Sequence, residues 1–238
     1  GFDPELQGFE YNAGGFSRGS PPGGYFSPYK NPKLADGPQG ELLPLRLAEE
    51  AEAFLDRHGA EPFLLFLSFY SVHTPLQTTE ELKRKYIAKR EELPADRVVW
   101  GKEGSRKLRM VQDHAVYAGM LESLDTSAGR VLAHLEASGL DENTIVVFTS
   151  DNGTTHLKQE VDYDFFQSVK PLRGLKGSLY EGGIRVPLIV RWPGKIKAGS
   201  SSDFITGFED WIPTLLELTG HKGEEDEGLD GISIAPTL

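Results

Sequence analysis

The 238-residue sequence contains no cysteine. This absence excludes a disulfide framework, a thiolate metal site and a cysteine nucleophile. Long apolar runs are absent as well, and the longest, residues 63–69, is far too short to span a bilayer. The chain carries 25 Lys and Arg against 36 Asp and Glu, a formal net charge of -11. This excess of acid disfavours nucleic acid as a partner, because phosphate binding needs a basic face.

The remaining composition is that of an ordinary globular protein. Hydrophobic residues make up 38% of the sequence and charged residues 26%. A chain of this length can bury a large core and holds at most one or two domains. The sequence begins with Gly1-Phe2-Asp3-Pro4 rather than with methionine, and no signal peptide is visible. This does not resemble a natural start, so we expect that a missing targeting signal carries no information.

The pattern of apolar residues and breakers predicts an α/β domain. Residues 1–40, rich in Gly, Pro, Ser and Asn, predict a long irregular segment. Helical spacing and capping signals predict four helices, at residues 44–58, 78–90, 106–138 and 210–220. Continuous apolar runs predict three buried strands, at residues 62–69, 144–149 and 184–192. Such alternation is typical of a mostly parallel sheet with helices on both faces.

One candidate metal site follows the second predicted strand. Asp151 and Asn152 stand side by side where the apolar run ends in a glycine turn. A carboxylate and an amide oxygen are the ligands that hard divalent cations prefer, and Ca²⁺ tolerates the loose geometry of two adjacent side chains. Asp-Asn-Gly is also a common Asx-turn sequence. The downstream lysine segment favours the metal-binding interpretation.

A candidate anion site lies in the segment that leads to the third predicted strand. Lys176 is surrounded by glycines, so that an anion can approach its ammonium with little steric obstruction. A surface lysine in a flexible loop is the alternative. A bound cation and a fixed ammonium that face one point predict a site for a tetrahedral oxyanion ester.

The three segments should meet at one edge of the sheet. His73 follows the first predicted strand, Asp151 and Asn152 follow the second, and Lys176 precedes the third. Ligands of open α/β sheets bind beyond the carboxyl ends of the strands. We therefore expect these four side chains to converge. An imidazole at this edge can protonate a leaving group near neutral pH, although a histidine satisfied within a turn is the alternative.

Five segments, in this order, resemble the type I sulfatases of the alkaline-phosphatase-like superfamily, in particular the bacterial arylsulfatases. They are residues 25–32, 66–75, 149–153, 171–187 and 210–216. The resemblance implies an alkaline-phosphatase-like sandwich and hydrolysis of a sulfuric ester on a small molecule or a glycan. It also implies calcium on Asp151 and Asn152, sulfate contact by Lys176, substrate contact by His73, and export to the periplasm or beyond.

Part of the machinery that the resemblance implies is not recognisable in this sequence. The formylglycine nucleophile of the family is made in a Cys/Ser-x-Pro/Ala-x-Arg segment, and no stretch fits that pattern. The paired aspartates that complete the metal site and the Gly-Lys-Trp-His-Leu-Gly segment are not found either. We therefore interpret residues 1–238 as the central and C-terminal part of a sulfatase catalytic domain. Alone, this chain should be inactive and bind calcium weakly.

Two other functions remain open from the sequence. A phosphoesterase or phosphonate hydrolase of the same superfamily would use a similar site, and a non-catalytic relative could bind sulfated glycans.

His156 follows the Asp-Asn-Gly turn closely and could line the substrate pocket. Glu122 and Asp125 lie three apart on a predicted helix, where paired carboxylates can do acid–base work, but a solvated or salt-bridged helix face is expected.

Overall fold

The computed structural model describes residues 3–103, 106–154, 171–221 and 228–238. The chain divides into two compact units. The first comprises Gly1–Leu140 and Ser150–Val186, and the second comprises Asp141–Thr149 and Pro187–Leu238. His73, the Asp-Asn-Gly turn and Lys176 all belong to the first unit.

The first unit is built on three helices and a further single turn. They are α1 (Leu43–His58), α2 (Glu80–Glu91), α3 (Ala115–Ala137) and the turn α4 (Glu181–Ile184). The Thr79 hydroxyl caps α2 by accepting from the N–H of Leu82, at 3.2 Å. Salt bridges join α1 to α3, among them Arg130 to Glu52 at 2.6 Å. Within the described residues, no helix is long and apolar enough to cross a bilayer.

The predicted helix over residues 106–138 is wrong in its first part. Strand β1 (Trp100–Glu103) pairs antiparallel with β2 (Arg106–Arg109), with Trp100 opposite Arg109. The helix begins only at Ala115, where the His114 side chain accepts from the N–H of Tyr117 at 3.2 Å. The backbone of residues 106–109 is paired with β1, so its N–H and C=O groups are not available for the hydrogen bonds of a longer helix. The predicted helices at residues 44–58, 78–90 and 210–220 are confirmed within two residues or so at each end.

The core of the first unit lies between the irregular N-terminal segment and the helices. Its buried cluster consists of Tyr25, Tyr29, Leu34, Leu43, Leu47 and Met120. The predicted buried strand over residues 62–69 is wrong in this structure. Leu67 and Phe69 pack against the core, whereas Leu64 and Phe66 are 64% and 77% exposed. The segment pairs with no strand among the described residues, so only one of its two sides is covered.

The second unit contains the other strand pair. Strand β3 (Val146–Thr149) pairs antiparallel with β4 (Leu188–Arg191), with Val146 opposite Arg191. Both described strand pairs are thus antiparallel, and no parallel pair occurs within the described residues. Helix α5 (Trp211–Leu218) follows a 3₁₀ turn, Phe208–Asp210. The C-terminal segment lies against α5, because the N–H of Ile232 donates to the Asp210 carboxylate at 2.9 Å.

Candidate functional site

Backbone hydrogen bonds place the Asp-Asn-Gly turn directly beside the lysine segment. Asp151 and Asn152 follow β3 in the sequence after a single residue, Ser150, as expected. The next residue, Gly153, donates its N–H to the carbonyl oxygen of Gly183 at 2.9 Å. One residue further on, the carbonyl oxygen of Thr154 accepts from the N–H of Lys176 at 2.6 Å. The two motifs that the sequence analysis paired are therefore neighbours in the fold.

The glycines of both motifs are needed for this close approach. A Cβ atom on Gly153 would collide with the carbonyl oxygen of Gly182, and a Cβ atom on Gly182 would collide with that of Gly174. Gly182 also donates its N–H to the carbonyl oxygen of Arg173 at 2.7 Å, which closes the lysine loop. The repeated glycines in the sequence were the signal for this packing. The sequence did not reveal that the glycines of one motif pack against those of the other.

The candidate metal ligands offer two oxygen atoms near the protein surface. Asp151 is exposed and Asn152 is half-buried. The Asn152 amide nitrogen donates to the carbonyl oxygen of Gly153 at 2.9 Å, so its Oδ1 atom is not used in that bond. In an Asx turn the side-chain oxygen would instead accept a backbone N–H. A carboxylate and an amide oxygen fit the donor chemistry of Ca²⁺.

Two ligands do not complete a calcium site. Calcium takes about six to eight oxygen ligands, from protein and water. Within the described residues, no group of three or more His, Cys, Asp or Glu side chains is placed to hold a metal ion. His156 lies outside the described residues.

Lys176, the candidate cationic side chain of the site, is half-buried, and its loop is anchored on both sides. Leu175, the residue before Lys176, is only 6% exposed. In the part of the chain that the structure describes, neither the Lys176 ammonium nor the Asp151 carboxylate has a salt-bridge partner. The neighbouring arginines are engaged, since Arg173 lies over the Tyr180 ring at 4.0 Å and Arg185 pairs with Glu181 at 3.0 Å.

His73 lies in a tight turn, with one ring nitrogen already engaged. Its N–H donates to the carbonyl oxygen of Tyr70 at 2.8 Å. Its Nδ1 lies 3.0 Å from the carbonyl oxygen of Thr74. A carbonyl only accepts, so Nδ1 must carry the proton of this bond, and Nε2 is left for another partner.

The described contacts join His73 to the N-terminal segment rather than to the Asp-Asn-Gly turn. The Tyr25 hydroxyl lies 2.8 Å from the His73 carbonyl oxygen. The convergence of His73 with Asp151 and Lys176 thus stays a prediction.

Of the two carboxylates on α3, Glu122 is salt-bridged and Asp125 is exposed. The Lys85 ammonium donates to both carboxylate oxygens of Glu122 at 2.7 Å. This bond is the main cause that holds the pKa of Glu122 below its ordinary value. A carboxylate committed to an ion pair is poorly suited to proton transfer.

The family model described as Sulfatase matches residues 6–221. The chain belongs to the sulfatase family. This sulfatase chain is 37% identical over 198 residues to the steryl-sulfatase of Mus musculus, and the match covers 82% of this chain and 27% of the mouse protein. It is 34% identical over 221 residues to a sulfatase of Formosa agariphila, and the match covers 87% of this chain and 35% of that protein. It therefore spans about a third of the length of these curated relatives.

Solved sulfatase-like structures share the fold. The crystal structure of Ps i-CgsB superimposes with a TM-score of 0.65 at 29% identity, over 85% of this chain and 39% of that chain. The sequence-based prediction of a partial alkaline-phosphatase-like α/β domain agrees with this likeness.

Proposed function

We propose that the whole protein hydrolyses sulfuric esters, and that residues 1–238 form the central and C-terminal part of its catalytic domain. The observation that carries the proposal is the pair of backbone bonds that places the Asp151–Asn152 turn beside Lys176. Membership of the sulfatase family supports the same reaction class. The coverage of about a third of each relative supports a longer parent protein.

In this proposal Lys176 contacts the sulfate group. The three non-bridging oxygens of a sulfate ester share one negative charge, and more charge develops at the reacting oxygens in the transition state. A cation fixed before the reaction stabilises that charge without reorganisation. The loop geometry suits this role, because the main chain of Lys176 is held by Thr154.

His73 in this proposal acts on the bridging ester oxygen. When the S–O bond breaks, its electron pair stays on the leaving oxygen, which then needs a proton. An imidazolium that keeps its Nδ1 proton on the Thr74 carbonyl can give its Nε2 proton to that oxygen. His73 would end the step as a neutral imidazole.

Two further groups belong to the proposed site. Asp151 and Asn152 would hold Ca²⁺, which when bound neutralises negative charge next to the sulfate, and the remaining ligands would come from other parts of the protein. The formylglycine nucleophile has no possible carrier here, since the sequence has no cysteine and no serine segment of the required pattern.

We further propose a sulfated glycan or a small sulfate ester as the substrate. The relative Ps i-CgsB, at 29% identity, forms a complex with k-i-k-neocarrahexaose. The steryl-sulfatase name of another relative points to small substrates. Both classes present the same sulfate group to Lys176, and an exported protein would meet them in the periplasm or outside the cell.

The proposal is tested on the full-length protein with nitrophenyl sulfate, nitrophenyl phosphate and sulfated oligosaccharides. We expect sulfate hydrolysis, and a loss of about 10²–10³-fold in kcat for Lys176→Ala. The exposed Lys197→Ala variant is the matched control and should keep full activity. Preferential hydrolysis of the phosphate ester would replace the proposal by a phosphoesterase. Binding of the oligosaccharide without turnover would replace it by a glycan-binding relative.

A further inference from the structure

A buried tyrosine from the N-terminal segment fastens the turn that carries His73. The Tyr25 side chain is 1% exposed. Its hydroxyl oxygen lies 2.7 Å from the carbonyl oxygen of Tyr70 and 2.8 Å from that of His73. One phenolic proton is therefore shared between the first and last carbonyls of a single turn. The same turn is closed by the N–H of His73, which donates to Tyr70.

Tyr25 is itself held at both of its backbone groups. Its N–H donates to the Gln77 side-chain oxygen at 2.7 Å, and its carbonyl oxygen accepts from the N–H of Leu43 at 2.9 Å. Leu43 is the first residue of α1. The N–H of Gln77 in turn meets the sulfur of Met120 on α3, at 3.3 Å. The hydroxyl of Tyr25 is thus presented from a fixed point of the core.

The environment of Tyr25 keeps its hydroxyl protonated as a donor. Burial raises the pKa of Tyr25 above the ordinary value of a tyrosine. A neutral phenol donates to carbonyl oxygens, whereas a phenolate cannot. The shared hydrogen bond therefore persists at the near-neutral pH at which an imidazole exchanges protons.

We infer that Tyr25 is a positioning residue that sets the orientation of the His73 imidazole through the His73 carbonyl. This inference rests on the proposed role of His73 at the ester oxygen. Proton transfer requires the donor within hydrogen-bond reach of the leaving oxygen, and a displacement of about 1 Å can cost about 10²-fold in rate. Without the Tyr25 hydroxyl, the His73 carbonyl loses a donor and the turn gains freedom.

The chain offers a matched control in Tyr29. Tyr29 is also 1% exposed and belongs to the same buried cluster. Its hydroxyl bonds the Glu41 carboxylate at 2.7 Å instead of the His73 turn. Tyr25→Phe and Tyr29→Phe each remove one buried hydroxyl from the same core. A purely structural role predicts similar effects for both, whereas a positioning role predicts a difference at His73.

Both variants are made in the full-length protein and assayed with nitrophenyl sulfate and phenyl sulfate. Phenoxide is the poorer leaving group and depends more on the proton from His73. We expect Tyr25→Phe to lower kcat by about 10- to 100-fold with phenyl sulfate, less with nitrophenyl sulfate, and to leave KM nearly unchanged. Tyr29→Phe should keep both kcat values and their ratio. Equal losses in the two variants, or an unchanged ratio in Tyr25→Phe, would overturn the inference.

The His73→Ala variant separates this inference from the proposed function. If it keeps full activity with both esters, the role of His73 fails and the inference fails with it. If it loses activity while Tyr25→Phe does not, only the inference fails. A second readout, the NMR signals of the His73 ring, needs no turnover. They should change in Tyr25→Phe and not in Tyr29→Phe, and unchanged signals in both variants would overturn the inference even for an inactive protein.

Discussion

The N–H of Lys176 donates to the carbonyl oxygen of Thr154 at 2.6 Å. Thr154 lies only three residues after Asp151 in the sequence. This bond makes the position of the lysine backbone depend on the Asp-Asn-Gly turn. The side chain can then be replaced without moving the loop, which makes Lys176 variants informative about chemistry rather than folding. Because the lysine backbone depends on this turn, a substitution that disturbs the packing of the neighbouring glycines should also disturb the site.

Gly182→Ala should therefore destabilise the first unit and disable the site. The added Cβ atom would collide with the backbone of Gly174 and Arg173, which cannot move aside as a flexible side chain does. We expect a loss of about 1–3 kcal/mol in the free energy of unfolding. Denaturant titration of the full-length protein measures this loss, and activity should fall in parallel.

Gly129→Ala is the control with the opposite sign. Gly129 lies inside α3, and a Cβ atom there meets nothing within 4 Å. Alanine favours a helix over glycine by about 1 kcal/mol, so this variant should be more stable than the wild type. Stability losses of similar size in both variants would show that the crowding at Gly182 is not the cause.

The sequence was sufficient to predict the pairing of the two site motifs because both are local patterns with a chemical meaning. The residue types of Asp151, Asn152 and Lys176 indicate a cation site and an anion site, and the glycines around Lys176 indicate a loop that an anion can approach. The bond from Gly153 to Gly183 joins residues thirty positions apart, and no local pattern encodes it. The contacts of Tyr25 were hidden for the same reason, since an aromatic residue in a Gly/Pro-rich segment gives no sign of its partner.

The wrong predictions for residues 62–69 and 106–109 have a common physical cause. Residues 62–69 form a continuous apolar run, which predicted burial on two sides, but only Leu67 and Phe69 find partners in the core. Burial depends on neighbours that a local pattern does not contain. In residues 106–109 the cross-strand partners at 100–103 outweighed a weak helical pattern, as tertiary pairing commonly does.

Thr214 should be critical for holding the C-terminal segment on α5. Its side chain is fully buried, accepts from the N–H of Ile234 at 2.9 Å and donates to the carbonyl oxygen of Asp210. Thr214→Val keeps the shape but leaves the Ile234 N–H without an acceptor, which costs about 1–3 kcal/mol. Amide exchange at Ile234, followed by NMR or mass spectrometry, should accelerate.

Thr219→Val provides the matched control for Thr214. The Thr219 hydroxyl is exposed and donates to the carbonyl oxygen of Leu215 at 2.7 Å, also four residues back. Its loss should change stability by less than about 0.5 kcal/mol, as is usual at exposed positions. If the two valine variants behave alike, the bond to Ile234 contributes nothing measurable.

The second unit should lose stability in acid through Asp210. Bonds from the N–H groups of Gly207 and Ile232 and the hydroxyl of Thr206 hold the pKa of Asp210 below its ordinary value of 3.8. The folded state thus binds this proton less readily than the unfolded state. The stabilisation is present above the unfolded pKa and disappears as the pH falls through the lower folded pKa.

The pH dependence can be measured by amide exchange at Ile232 between pH 7 and about pH 2, corrected for intrinsic rates. Protection should decline below about pH 4 in the wild type, and this decline should be absent in Asp210→Asn. Asp203→Asn removes an exposed carboxylate of the same unit and should retain the wild-type profile. A wild-type profile in Asp210→Asn as well would assign the acid sensitivity to other groups.

The isolated 238-residue chain should bind calcium weakly and hydrolyse no sulfate ester. Asp151 and Asn152 supply two oxygen ligands, whereas Ca²⁺ takes about six to eight, so water must fill most of the shell. We expect a dissociation constant of about 10⁻³ M or weaker by calorimetry, and no heat of binding for Asp151→Asn. Asp125→Asn removes an exposed carboxylate from α3 and should bind as the wild type does. Tight binding that survives Asp151→Asn would place the calcium elsewhere, and turnover of nitrophenyl sulfate by this chain alone would contradict the need for a nucleophile from outside it.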